Sequence, residues 1–372
     1  MKKYFIMAVA VLATLTACQP DEPQTVVQTR EISFAPAATQ TRATAAEEIT
    51  VANLRNFAVS GFVKANTDAW SAGNKIFNNT AVQTSAETVT TASIFEVVNS
   101  NEVKYWAESS DYKFSAVYPV PPTTGWSYSY NYDGDKFTQS ISGFSISADN
   151  TTPDLLVAKE ATASLTAAQT TNYAVGLNFY HMLSRVKFSF QNGFPDDNIS
   201  IEVSKLKLLD VTKTASATIT LNDNDGTLNA SWNDASDNID VLFYDNNNNN
   251  ENLVVLEEGK TDTLASVYRL IIPETKAYSV AFDLVIKSEG NVIATIPYQE
   301  EDGDGKHNPI PLKETTFVNG QSYVFNAVIK ETIFNEGDLH PITFTVDVKP
   351  WGADNVVDGD IFTPEDQPAQ GN

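Results

Sequence analysis

Cysteine is almost absent from this chain, since Cys18 is the only one among 372 residues. A single thiol excludes an internal disulfide framework, and with it a cysteine-ligated metal site. Histidine is nearly as scarce, and His181, His307 and His340 lie far apart in the sequence. The chain also lacks an H-x-x-x-H pair, a Gly-rich phosphate loop and a G-x-S-x-G nucleophile motif. We therefore expect a protein without catalysis, metal or cofactor, stabilised by packing alone.

Positively charged residues are also scarce. The chain has 24 Lys and Arg against 47 Asp and Glu, which gives a formal net charge of −23. An acidic surface repels nucleic acid and anionic bilayer surfaces, and it keeps an exported protein soluble. Nucleic acid is therefore excluded as an expected partner.

The beginning of the sequence predicts export. Lys2 and Lys3 precede an apolar segment, Tyr4 to Leu15, that is too short to span a bilayer as a mature helix. Residues 1–17 therefore read as a signal peptide. The segment ends in Leu15-Thr16-Ala17-Cys18, which resembles the lipobox of bacterial lipoproteins. By that resemblance Cys18 becomes the lipidated first residue, and the polar residues 19–30 form a tether.

From Ile32 onward the apolar residues recur with period two, and no stretch sustains a helical period. Short runs rich in β-branched and aromatic residues, separated by Gly, Asn and Asp clusters, predict an all-β fold of β-sandwiches. The predicted strands are Asn56 to Lys64, Ile94 to Asn99, Val103 to Glu108, Tyr112 to Tyr118, Trp126 to Tyr132, Phe137 to Ile146, Asn172 to Gln191, Ile201 to Val211, Thr214 to Leu221, Val241 to Tyr244, Ser266 to Ile272, Tyr278 to Lys287, Val292 to Tyr298, Ser322 to Glu331 and Ile342 to Val348.

The length favours two domains, because one core rarely serves so many residues. Ala161 to Thr171 is rich in Ala, Thr and Ser without periodicity, so the predicted division is 43–165 and 166–372, the second with a short C-terminal tail.

Two polar segments resemble calcium loops, Asn222 to Gly226 and Glu301 to Gly305. Position 12 counted from Asp302 is Lys313 and not the bidentate Glu of such a loop, so both segments favour solvated turns. The Trp residues leave open a second reading, a monomeric surface glycan-binding lipoprotein, although aromatic residues at strand positions usually belong to a core.

Several segments in order resemble the fimbrillin family, the subunits of type V pili in certain Gram-negative bacteria. The resemblance covers nearly the whole mature chain and rests on the order of its pieces. These are Ile32-Ser33-Phe34, Thr41-Arg42-Ala43-Thr44, the run YKFSAVYP from Tyr112, the run NFYHMLSRVKF from Asn178, Leu270 to Pro273, the run NGQSYVF from Asn319 and the run FTVDVKPW from Phe344.

The resemblance implies two transthyretin-like β-sandwich domains in tandem and delivery to the outer membrane as a surface lipoprotein precursor. It further implies that an Arg-specific protease removes the first strand, so that residues 18–42 are the lipidated tether and that strand. The bond cleaved would be Arg42-Ala43 or, as the alternative, the bond after Arg30. A strand from another pilus subunit would then fill the groove.

The role implied is a stalk or tip subunit of a fimbria that acts in cell adhesion, with a host or bacterial surface as a candidate ligand. The chain beyond Trp351 has Val356, Val357, Ile361 and Phe362 as its apolar residues, and these do not decide between stalk and tip.

The lipobox predicts that Cys18→Ser abolishes lipidation, because serine offers no thiol for the thioether bond. We expect the variant to leave the membrane fraction of expressing cells and to be absent from the surface, as followed by fractionation and surface labelling. A Cys18→Ser chain that partitions with membranes and assembles as the wild type does would contradict the assignment.

Overall fold

The computed structural model describes residues 31–39, 53–148, 152–165, 174–221, 226–243, 252–256, 263–299, 308–334 and 342–350. In these ranges the regular structure consists of β-strands and three short 3-10 helices, Ala72–Asn74, Ser100–Glu102 and Glu331–Phe334. None of the described helices has the length and apolar character needed to cross a membrane. The predicted all-β fold is therefore confirmed.

The first sheet has eight strands and contains most of the N-terminal half. Its neighbours pair antiparallel except for the first two strands in its order, which are parallel. The order is β1 (Ser33–Thr39), β10 (Ala174–His181), β8 (Leu156–Ala158), β5 (Ser110–Tyr118), β2 (Asn56–Ala65), β3 (Lys75–Gln83) and β4 (Glu96–Val97), with β9 (Ala161–Leu165) also paired to β5.

The remaining strands form a second sheet of eight strands, a third sheet of five strands and a ribbon of two strands. The second sheet runs β19 (Asn291–Tyr298), β18 (Ser279–Ser288), β12 (Ile199–Leu221), β7 (Phe137–Ser145) and β6 (Ser127–Tyr132), with β13 (Leu228–Leu242) and β14 (Asn252–Leu256) on β12 and β20 (Ile310–Pro311) on β18. The third runs β15 (Thr263–Ala265), β11 (Ser184–Asn192), β22 (Gln321–Ile329) and β23 (Phe344–Pro350), with β16 (Arg269–Ile271) on β11. The ribbon joins β17 (Thr275–Lys276) to β21 (Thr315–Thr316).

The strand β12 is longer than predicted, because pairing continues through the expected break between Val211 and Thr214, with bulges on either side at Leu208/Val211 and Thr214/Ser216. Lys205 and Asp210 adopt positive φ values of 54° and 60°, which mark the irregular points of its pairing. A bulge adds a residue and bends the strand without ending it. The first half of β12 pairs with β18 and the second half with β7.

The segment predicted as one strand over Asn172 to Gln191 is instead two strands in different sheets. The strand β10 ends at His181, and β11 begins at Ser184. Met182 and Leu183 lie between them and are fully buried. The chain therefore passes from the first sheet to the third through the interior, and the strand-like sequence on both sides of Met182 and Leu183 gives no sign of the change of sheet.

Two hydrophobic clusters fill the interior. The N-terminal cluster is rich in aromatic residues, and the large cluster takes residues from most of the described chain. The N-terminal cluster includes Ile32, Phe34, Leu54, Phe57, Val59, Phe77, Val82, Phe95, Trp106, Tyr112, Phe114, Leu156, Val175, Leu177 and Phe179. The sequence predicts a separate hydrophobic core for each of the two expected domains.

Pairing crosses the predicted division at residue 165. The strand β10 joins the first sheet beside β1, and β6 and β7 join the second sheet through β12. Ala161 to Leu165, expected in a linker, forms β9 against β5. The division into 43–165 and 166–372 stays a prediction, and each of the two large sheets takes strands from both sides of it.

A buried polar group links the first sheet to the second. Ser115 of β5 lies 2.6 Å from the Tyr128 hydroxyl of β6 and donates to the Ala158 carbonyl at 2.9 Å. Gln139 of β7 donates to Ser115 at 3.0 Å. Burial raises the pKa of Tyr128, so the hydroxyl keeps its proton and stays a hydrogen-bond partner. A buried hydrogen-bonded network of this kind specifies how two layers face each other.

The close approach of β2 and β5 predicts that Gly61→Ala destabilises the protein. A Cβ atom at Gly61 would lie 2.5 Å from a ring carbon of the buried Phe114. We expect a loss of about 1–3 kcal/mol in the free energy of unfolding, because overpacking displaces the ring.

Gly73→Ala is the matched control, since the nearest atom to its added Cβ is a Ser71 oxygen at 3.7 Å. Urea unfolding of both variants checks the prediction. Equal stability of the two would contradict the packing argument.

Candidate functional site

The first described strand is buried as deeply as the core that surrounds it. Ile32, just before β1, is 2% exposed, and Phe34 is 0% exposed. Both belong to the N-terminal cluster, as their alternation predicted. Their neighbour Pro36 is also buried. A terminal segment with these side chains is therefore part of the folded domain and not a free tail.

On one edge, β1 pairs parallel with β10. The register aligns Ser33 with Ala174 and Phe34 with Val175, and it shifts between Pro36 and Ala38. A Cβ added to Gly176 of β10 would lie 3.1 Å from the Cβ of Ala37, so glycine gives the strand room at this irregularity. The pairing covers the whole length of β1.

On the other edge, β1 contacts Phe95, which directly precedes β4, and the segment between β4 and β5. The Phe34 amide donates to the Phe95 carbonyl at 3.1 Å, and the Phe95 amide donates back at 2.8 Å. The Ile32 amide donates to the Lys104 carbonyl at 2.8 Å. Val103 to Glu108, predicted as a strand, contributes only an isolated bridge between Tyr105 and Glu31. Hydrogen bonds on both edges make β1 an inserted strand.

The Phe34 ring lies in an aromatic pocket. It contacts Phe77 and Phe114 edge to face, with centroid distances of 5.9 and 5.4 Å. Phe114 in turn stacks on Tyr112 at 5.9 Å, and Tyr112 contacts Trp106 at 4.6 Å. Aromatic pairs in such geometries stabilise a core beyond their burial. Phe34 is thus the side chain that closes this row of rings.

Burial raises the pKa of the Tyr112 hydroxyl, while the hydrogen bond that it accepts from the Ala107 amide at 2.7 Å acts in the opposite direction. The hydroxyl is therefore protonated at neutral pH, and the wall behind Phe34 carries no charge from Tyr112. An uncharged wall accepts any apolar side chain of suitable size.

The slot that holds β1 consists of parts distant in sequence. Residues 31–39 enter from the N-terminal end, while β10 and the segment around Phe95 and Lys104 form the two edges. Without β1, backbone donors and acceptors of both edges and an apolar pocket would lose their partners. The arrangement therefore holds an extended segment by its main chain on both edges and by an apolar side chain at the Phe34 position.

The sequence-predicted processing and lipidation residues lie outside the described residues. These are Cys18, Arg30, Arg42 and Ala43, and with them the signal peptide and tether. The described part of β1 ends at Thr39, three residues before Arg42 in the sequence. The structure shows that Phe95 and Lys104 are main-chain partners of the β1 segment, which the sequence could not identify.

His181 is a buried strand residue, in agreement with the sequence. It ends β10 and is 3% exposed, and its Nδ1 atom lies 2.7 Å from a carboxylate oxygen of Asp154, which is 1% exposed. Nothing in the local sequence of Asp154 indicated this partner. The pair lies where the chain leaves the first sheet, next to the strand that holds β1. His307 and His340 lie outside the described residues.

Within the described ranges, no group of His, Cys, Asp and Glu residues could hold a metal ion. The segment Glu301 to Gly305 lies outside those ranges, as does Asn222 to Asp225. Gly226 is described and has a φ of 72°, which a turn requires of glycine.

Comparison with family models identifies one family. A model of the fimbrillin-like family matches residues 39–351. No curated protein matches. Among solved structures, the chain is similar to a fimbrial protein from Bacteroides vulgatus, with 16% identity, a TM-score of 0.55, and coverage of 87% of this chain and 99% of that chain. It also matches the fimbrial anchor protein Mfa2 from Porphyromonas gingivalis, with 10% identity, a TM-score of 0.32, and coverage of 87% and 98%.

The buried ring of β1 predicts that Phe34→Ala destabilises the uncleaved chain by about 3–5 kcal/mol, because it leaves a cavity between Phe77 and Phe114. Phe334→Ala is the control, since that ring is 48% exposed, and we expect less than about 1 kcal/mol. Calorimetric or urea unfolding measures both. A small effect of Phe34→Ala would mean that β1 does not stabilise the domain.

Proposed function

The chain belongs to the fimbrillin-like family of pilus subunits, and from this premise we propose that it polymerises by exchanging β1 for a donor strand of another subunit. The observation that carries the proposal is the inserted strand. The strand β1 is hydrogen-bonded on both edges and buries Phe34 completely. A segment held this way can be replaced by another of the same kind once its covalent link is cut.

The on-switch is one peptide bond, Arg42-Ala43 or else the bond after Arg30. While the chain is intact, β1 is tethered to the domain that it completes, and its effective concentration at the slot is on the order of millimolar or higher. An incoming strand from another subunit therefore does not displace β1 while β1 is tethered. Cleavage turns this intramolecular strand into a dissociable one, and exchange can then proceed.

Burying Ile32 and Phe34 contributes roughly 3–6 kcal/mol in transfer terms, to which the backbone bonds add. This is enough to keep an uncleaved precursor monomeric. It is also within the range that a donor strand with two apolar side chains matches, since the pocket and the hydrogen-bonding edges remain in place. The same contacts thus protect the precursor and later join the polymer.

Transport to the surface depends on Cys18. We propose that its lipid anchors the precursor in the outer membrane until cleavage releases the mature subunit into the fimbrium. The fimbrium then acts in adhesion to a host or bacterial surface, as a stalk or tip. The buried β1 favours this account over a monomeric glycan-binding lipoprotein, because a monomeric binder has no need of a removable strand.

The proposal predicts that Arg42→Ala gives a stable lipidated monomer that does not polymerise, provided that Arg30 is not used instead. The double variant Arg30→Ala and Arg42→Ala removes both sites. We expect an Arg-specific protease to leave it at full mass, while the wild type loses the segment ending at Arg42 and forms oligomers resistant to mild denaturant. Mass spectrometry and gel filtration provide the readouts.

Arg55→Ala is the matched control, since Arg55 is exposed and lies in the described part of the chain just before β2. Its cleavage and assembly should equal those of the wild type. If the double variant assembled as well as the wild type, strand removal at these bonds would not be the switch.

A further inference from the structure

A pocket of about 520 Å³ opens on the first sheet, beside β5 and β9. It is lined by Trp70, Asp111, Tyr112, Lys113, Thr162, Ala163 and Ser164. The volume lies within the ~300–1,000 Å³ typical of small-ligand sites. None of the lining residues belongs to β1 or forms a main-chain hydrogen bond with it. Tyr112, which stacks on Phe114 behind Phe34, is the one lining residue that also belongs to the wall of the exchange slot.

Strand register explains why these side chains meet. Asp111 pairs with Ser164, and Lys113 pairs with Thr162, in the antiparallel ladder of β5 and β9. Alternate residues of a strand point to opposite faces, so the four polar residues share one face, while the rings of Tyr112 and Phe114 lie in the N-terminal cluster on the other. The Thr162 and Ser164 residues are exposed, and no side-chain hydrogen bond involves them within the described part of the chain.

The charges of the pocket are balanced. Lys64, on β2 opposite Asp111, forms an ion pair with it at 2.9 Å. Lys113 forms an ion pair with Glu160, which also accepts a hydrogen bond from the Tyr130 hydroxyl at 2.6 Å. Because each ammonium group has a carboxylate partner, the pocket offers no uncompensated charge to an ionic ligand. The pocket offers hydrogen-bond donors and acceptors side by side.

Trp70 supplies the apolar surface. Its indole is half-buried, contacts Phe137 edge to face at 5.3 Å, and lies 5.4 and 6.0 Å from the ammonium groups of Lys64 and Lys113. These contacts hold the ring in one orientation while part of it faces the pocket. An aromatic ring attracts the weakly positive C–H groups of a ligand to its negative face.

We propose that this pocket binds a neutral saccharide. A sugar ring presents C–H groups on one face and hydroxyl groups around its rim, and each hydroxyl both donates and accepts. The C–H face would pack on Trp70, while the rim would meet the Asp111–Lys64 pair and the hydroxyls of Thr162 and Ser164. A purely apolar ligand would leave these polar groups unpaired, and an anion would find both lysines already neutralised. The site goes beyond the proposed function, because saccharide binding does not require strand exchange.

An array of neutral and acidic oligosaccharides probed with the uncleaved full chain tests this inference, and calorimetric titration then gives Kd for the best neutral binder. We expect Trp70→Ala and Asp111→Asn each to weaken binding by roughly tenfold or more. Trp126→Ala is the control for the first, since that indole is also half-buried and contacts Phe144 edge to face at 5.5 Å outside the pocket. Asp135→Asn, in an exposed turn, is the control for the second.

Both controls should bind within about twofold of the wild type. Failure of the wild type to bind any neutral sugar, or binding of acidic sugars alone, would overturn the proposal, as would equal losses in the pocket and control variants. The assay uses the monomeric precursor, so its outcome is independent of whether strand exchange occurs.

Discussion

The insertion of β1 between β10 and the segment at Phe95 and Lys104 is the constraint on which the N-terminal half depends. Phe34 closes a row of aromatic rings, and its amide and carbonyl pair with Phe95. Main-chain bonds and side-chain burial occur in the same short segment, so loss of β1 would leave both edges and the aromatic pocket without their partners.

The rest of the molecule is tied to this slot through two continuous paths. The chain leaves β10, the partner of β1, through Met182 and Leu183 and enters β11 of the third sheet without becoming exposed. The strand β12 pairs with β18 along one half and with β7 along the other. Close-packed interiors pass strain from one element to the next, so these links hold the layers in one arrangement.

Much of the strand pattern could be predicted from period-two alternation, as the runs from Tyr112 and Phe137 illustrate. The errors occurred where alternation carries no information about partners. The change of sheet after His181 lies inside a continuous strand-like pattern. Ala161 to Leu165 alternates only between Ala and Thr or Ser, and so small a contrast in polarity does not mark a strand. Of the candidate site, the sequence indicated Ile32 and Phe34, whereas Lys104, Asp154 and the pocket at Trp70 became visible only through contacts between distant segments.

The sequence by itself determined the all-β class, the burial of Ile32 and Phe34, and the family resemblance, because alternation and composition are local properties of a chain. The tertiary structure alone decided which segments form the edges of the slot, that β1 pairs parallel with β10, and which strands on each side of residue 165 pair with one another. Pairing between strands distant in sequence depends on the free energy of the whole packed arrangement, and no local pattern encodes it.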